Sequence, residues 1–125
     1  VNMGTPYAGT PYRFCHYRKT FGYANMPLDG LWLRAPYLHN GSVPTLRDLL
    51  EIGDNRPKEF YRGYDVYDPI KIGFVSDVAE EGGRKYFRFD TAIPGNGNRG
   101  HEGKYYGTEL SAEEKDALVE FLKTF

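Results

Sequence analysis

The sequence predicts a mostly α-helical domain with extensive loops and a few short strands. Three features predict it. The stretch from Ser111 to Phe125 pairs a capping-box start with a helical apolar period, and Thr45 opens a second, leucine-rich helical stretch. The 15 Gly, 8 Pro and 11 Tyr among 125 residues assign much of the remainder to turns and aromatic-clamped loops.

Taken in order, residues 1–30 are Gly-, Pro- and Tyr-rich without a sustained period and read as an extended lead-in that lies on another surface. Leu31-Trp32-Leu33 is a short apolar run. Pro36 disfavours helix at Ala35, so the chain is expected to stay extended there. Thr45 is a good N-cap with Asp48 three residues on, and Leu46, Leu49 and Leu50 share one face of a helix predicted to end near Gly53. Between Arg56 and Asp90, short apolar runs at 59–61, 70–75 and 86–89 are punctuated by Gly63, Pro69, Gly73 and Gly82-Gly83, as in strands or hairpins.

Residues 91–107 return to Gly/Asn-rich loop. Ser111 and Glu114 then form a reciprocal capping box, and Ala117, Leu118, Phe121, Leu122 and Phe125 recur at helical spacing as one apolar stripe. Such a helix must dock on something. No internal repeat or second-domain linker interrupts the chain.

Bulk properties remove several function classes. Lys and Arg total 16 against 17 Asp and Glu, with neither sign in a long block, which excludes the electrostatic footprint of a nucleic-acid binder. No window approaches the length of a membrane span and no basic-then-apolar leader stands at Val1; because the chain begins with Val rather than Met, a processed product or an excised piece of a longer protein is expected. A single cysteine, Cys15, excludes an internal disulfide and a Cys-rich zinc site.

Three histidines are the side chains suited both to metal ligation and to titration near neutrality. His101 ends the Gly/Asn-rich run 94–101. Glycines there let backbone approach a flat ligand, and one imidazole on such a loop reaches an iron axially. Read from the residues alone, an exposed loop histidine is the simpler account, because a lone His supplies no multidentate spacing. For His39 the plain role is a bond to a loop carbonyl, and the sharper one is contact with a buried anionic group, with Arg34 as charge partner. Cys15-His16 is half of a haem-attachment signature, but position 12 is Tyr, so only one thioether could form. The Asp54, Asp65, Asp68 and Asp77 carboxylates lack EF-hand spacing and read as turn residues. The Gly95, Gly97, Gly100 pattern has no strand before it and no helix opening from it, so it is not a dinucleotide loop.

The segment Ala35-Pro36-Tyr37-Leu38-His39-Asn40-Gly41-Ser42-Val43-Pro44-Thr45-Leu46 resembles the signature segment of the second haem domain in bacterial di-haem cytochrome c peroxidases and their relatives. Gly107-Thr108-Glu109-Leu110-Ser111, leading into the final helix, is similar to the end of the same domain. His101 stands where the peroxidases usually carry a methionine iron ligand, and histidine there is similar to the rubber-oxygenase branch. The 54–95 insertion carrying Arg56-Pro57, Phe60, Gly63 and Tyr67-Asp68-Pro69 is similar to that branch as well.

The resemblance implies that 31–125 is the C-terminal part of an incomplete cytochrome c-like haem domain with a β-containing insertion. It implies His101 as axial ligand to the iron of a haem c, His39 with Arg34 at a propionate, and Trp32 near the electron path. A histidine in place of methionine implies a lower haem potential. Cys-x-x-Cys-His is absent from this chain and is expected upstream, so the implied partner is the remainder of a parent chain with a second haem domain. The implied parent is a periplasmic or secreted oxidoreductase, peroxidase- or dioxygenase-like, with this portion alone inactive and its redox partner unspecified. The competing expectation is a cofactor-free, Tyr-rich binding module supported by two helices.

Overall fold

A computed structural model describes residues 9–11, 21–22 and 26–125. Most of the expected lead-in, including Cys15 and His16, lies outside the described residues.

After Met26 the chain makes one 3-10 turn over Leu31–Leu33 and leaves helix before Ala35. Gly30 precedes it in the left-handed region, and its N–H donates to the carbonyl of Phe125, tying the start of this region to the C-terminus. The Ala35–Pro36 peptide is cis. Tyr37 then pairs with Val43 in an antiparallel bridge, closing the loop that carries His39.

Helix α1 spans Leu46–Leu49 and is capped by the Thr45 side chain, which accepts from the Asp48 N–H at 3.0 Å. It is a single turn, shorter than the leucine pattern predicts, and irregular backbone carries the chain from Leu50 past Gly53 to Arg56. Three antiparallel two-stranded ladders follow. Strands β1 (Glu59–Arg62) and β6 (Phe87–Asp90) pair with Phe60 opposite Phe89, their rings stacked with centroids 5.0 Å apart. Between them lie the small pairs β2 (Tyr67–Asp68) with β3 (Gly73–Phe74), and β4 (Glu80–Glu81) with β5 (Arg84–Lys85). Helix α2 spans Ala112–Leu122 and starts with the full capping box of Ser111 and Glu114.

The expectation of a mostly α-helical chain is corrected by this arrangement. Two α-helices of four and eleven residues hold no more of the described chain than the six strands do. The physical reason lies in punctuation. Glycines and prolines break the segment between Arg56 and Asp90 into the short paired strands that its pattern predicts, while the leucine-rich stretch after Thr45 closes only one helical turn, so helix does not predominate.

The core joins both ends of the chain: Tyr37, Val43, Leu46 and Leu50 meet Ile72 from the strand region and Val119 from α2. Gly73 lets this happen, because a Cβ at that position would stand 2.5 Å from the carbonyl oxygen of Pro44. Burial pushes the Tyr37 hydroxyl above its ordinary pKa, reinforced by the Tyr67 charge, so it stays protonated and donates to the Leu31 carbonyl at 3.1 Å. On α2 the buried side differs from the predicted stripe. Lys115 and Val119 are buried and Leu118 and Leu122 half-buried, whereas Phe121 and Phe125 are exposed and pack edge to face. Lys115 tolerates burial because its ammonium donates to Glu51 at 3.0 Å.

Candidate functional site

The Gly/Asn-rich loop 95–101 has almost no apolar side chain with which to pack, and polar groups from distant parts of the chain fix it instead. The Asn40 amide, next to His39, donates to the carbonyls of Gly95 at 3.1 Å and Gly97 at 2.9 Å. Asn98 is buried and donates to the Pro57 carbonyl at 2.9 Å. Arg99 pairs with Asp54 at 2.6 Å.

Arg56 sits at the centre. It is 1 % exposed, and its guanidinium places all five N–H donors on backbone carbonyls. Nε donates to Glu51 at 2.8 Å, and Nη2 to Leu49 at 3.2 Å, on the α1 side. On the loop side, Nη1 donates to Asn98 at 2.6 Å and Gly100 at 2.9 Å, and Nη2 to His101 at 3.3 Å. Burial pulls the guanidinium below its ordinary pKa, and the Glu102 and Glu51 carboxylates counter that effect. An arginine has so high a reference value that it remains charged.

The loop ends by presenting His101. Its φ is 54°, a left-handed conformation that costs a non-glycine residue roughly 1 kcal/mol. The ring is exposed and meets Tyr106 edge-on at 5.5 Å between centroids, with Tyr105 almost wholly exposed beside it in sequence. Gly53 closes the inner side: a Cβ there would approach Glu102 Oε1 to 2.8 Å and the Arg99 Cγ to 3.3 Å.

The other residues singled out from sequence occupy different surroundings. Arg34 is exposed and folds back on its own segment, donating to the Pro27 carbonyl at 2.9 Å and the Asp29 carbonyl at 2.6 Å. Trp32 is partly exposed, and its carbonyl accepts from the Tyr67 hydroxyl. His39 is exposed on the 38–41 loop. Asn40, not His39 or Arg34, joins that loop to the one bearing His101. Sequence reasoning passed over Arg56 and Asn40 as anchors. A lone Arg and a lone Asn carry no periodic signal, although each stands beside a turn residue in a segment that carries the family resemblance.

A porphyrin is tested against this geometry by what surrounds His101. Three cavities are lined by other residues: one of about 300 Å³ by Pro36, Pro44, Phe60, Tyr61, Tyr64 and Phe74 among others, one between β1, β3 and α1, and one between α1 and α2. Among the described residues no cluster of three or more His, Cys, Asp or Glu side chains could hold a metal ion. A single exposed imidazole is a donor set that would suit one axial position on an iron carried by other sequence. It does not fit a haem enclosed by the described residues alone.

The comparisons agree in part. Residues 22–62 match the family described as RoxA-like, cytochrome c-like, so the chain contains a cytochrome c-like region that includes Trp32, Arg34, His39, Asn40 and Arg56 and stops short of His101. Two curated relatives come from Sinorhizobium fredii (strain NBRC 101917 / NGR234). The uncharacterized protein y4iJ is 46% identical over 108 residues, covering 82% of this chain and 17% of that protein. The uncharacterized protein y4iM is 40% identical over 119 residues, covering 82% of this chain and 27% of that protein. The chain thus spans less than a third of either relative, which fits a larger parent. Among the described residues no helix is long and apolar enough to cross a membrane.

Proposed function

We propose that this chain is the haem-binding, electron-transfer portion of a larger di-haem c-type cytochrome oxidoreductase of peroxidase or oxygenase type, periplasmic or secreted, in which His101 is the distal axial ligand. The observation that carries the reading is an exposed imidazole on a loop whose backbone is held by Arg56 and Asn40, both inside the cytochrome c-like segment. A single axial ligand needs position and orientation more than a pocket of its own.

In this reading haem c, bound through a Cys-x-x-Cys-His outside the chain, supplies the one-electron chemistry. The chain supplies the rest. His101 would bind the iron through a ring nitrogen, and Tyr106, edge-on to that ring, would limit its tilt. His39 and Arg34 would serve a propionate, Arg34 with the donors left over from its bonds to Pro27 and Asp29, and Trp32 would stand near the electron route.

The test is absorption spectroscopy of the full-length protein made in a host that matures c-type cytochromes. A low-spin, bis-histidine haem is expected, and His101→Ala removes it. An identical spectrum in the variant rejects the ligand assignment. One observation favours a second reading, a cofactor-free binding module: the cavity of about 300 Å³ is walled largely by Pro36, Pro44 and the rings of Phe60, Tyr61, Tyr64 and Phe74. Folded full-length protein with no haem absorption would favour that module.

A further inference from the structure

We infer that Arg56 is the positioning residue for the His101 imidazole, fixing the loop that carries the iron ligand to the α1 side of the core. The inference rests on the reading of His101 as an axial ligand. Both sides of the guanidinium are engaged at once, with Leu49 and Glu51 as anchors and Asn98, Gly100 and His101 as cargo. The bond to the His101 carbonyl holds the residue whose left-handed φ of 54° the chain would otherwise relax.

Two further contacts leave the loop one seat. Gly53 brings the α1 side within a methyl group of Glu102 and Arg99, and Glu102 Oε1 accepts the Gly100 N–H at 3.2 Å. On this side the loop already packs closely against Gly53. Outward displacement strips the Arg56 donors from at least three carbonyls in a buried site, which is costly for both partners. A lysine cannot replace this arrangement, because an ammonium has three donors on a flexible stem and lacks the planar fork.

The experiment uses the full-length holoprotein as wild type, His101→Ala, Arg56→Lys and Phe89→Leu, read by the ferric spin state and by the rate of cyanide binding to the iron. Arg56→Lys is expected to convert part of the low-spin haem to high-spin and to speed cyanide binding roughly 10- to 100-fold, the range usual for partners that orient a metal ligand. Added imidazole restores its low-spin spectrum. Phe89→Leu loosens the Phe60–Phe89 stack, lowers thermal stability, and leaves both readouts as in wild type.

Should Arg56→Lys yield no holoprotein, Asn40→Ser, which releases the Gly95 and Gly97 carbonyls at the outer half of the loop, is expected to shift both readouts the same way by less. A wild-type spin state and cyanide rate in Arg56→Lys, or in Asn40→Ser in its stead, beside an opened iron in His101→Ala overturns the positioning role. So does an equal opening by Phe89→Leu. No change in His101→Ala overturns the ligand reading itself.

Discussion

The core around α1 and the loop 95–101 solve the same problem by opposite means. Tyr37, Val43, Leu46, Leu50, Ile72 and Val119 hold one another by apolar burial, spread over many contacts. The loop holds its place through a handful of directional bonds from Arg56, Asn40 and Asn98, with side chains that bury little apolar surface. A cluster of the first kind degrades gradually. An assembly of the second kind fails when one donor is removed, and that places the sensitivity of the site in a residue remote in sequence from His101.

The largest expected effect tests that difference directly. Arg56→Ala leaves five backbone carbonyls without their donor and should lower stability by about 4 kcal/mol, read as a fall in the urea midpoint. Leu46→Ala opens a cavity at a residue 2 % exposed and should lower it by about 3 kcal/mol. Hydrogen exchange sharpens the contrast. In Leu46→Ala the amides of α1 and α2 lose protection together, whereas in Arg56→Lys the loss is confined to 98–101 and its neighbours.

Smaller effects probe the polar seam between the helices. Ser111→Ala removes the side-chain half of the capping box and should lower stability by about 1 kcal/mol. Glu51 is partly buried, which alone would raise its pKa, but hydrogen bonds and charge from Arg47 and Lys115 hold its carboxyl below the usual range. A depressed carboxylate contributes stability above its unfolded pKa, and that contribution disappears as pH falls through the folded value. Acid unfolding should therefore be less steep in Glu51→Gln than in wild type over the lower part of the carboxylate range. At the small end, Ser42 Oγ is fully buried and is the one such side-chain atom without a hydrogen-bond partner among the described residues. Ser42→Ala should raise the thermal midpoint slightly, by no more than about 1 kcal/mol in stability.

The contrast also explains what could be read in the sequence. Local signals survived folding: the Ser111–Glu114 box, the Thr45 cap, and the short runs that became β1, β3 and β6. Each depends on neighbours a few residues away. The helical content was overestimated because Leu46, Leu49 and Leu50 predict helix to near Gly53, whereas α1 closes only one turn and ends at Leu49. The α2 stripe was misassigned at Phe121 and Phe125 because periodicity gives the width of an apolar face and not which part of it finds a partner. His101 entered through a resemblance, not through spacing. Arg56 was invisible as an anchor because its acceptors on the loop are backbone carbonyls 42 to 45 residues away, and backbone leaves no mark on sequence pattern.

The central claim is that the imidazole at position 101 reaches an iron atom. Electron–nuclear double resonance on the ferric full-length protein, grown with nitrogen-15 histidine, counts the histidine nitrogens bound to each haem. Two directly coordinated histidine nitrogens are expected at one haem in wild type and one in His101→Met. An undiminished pair in the variant contradicts the account.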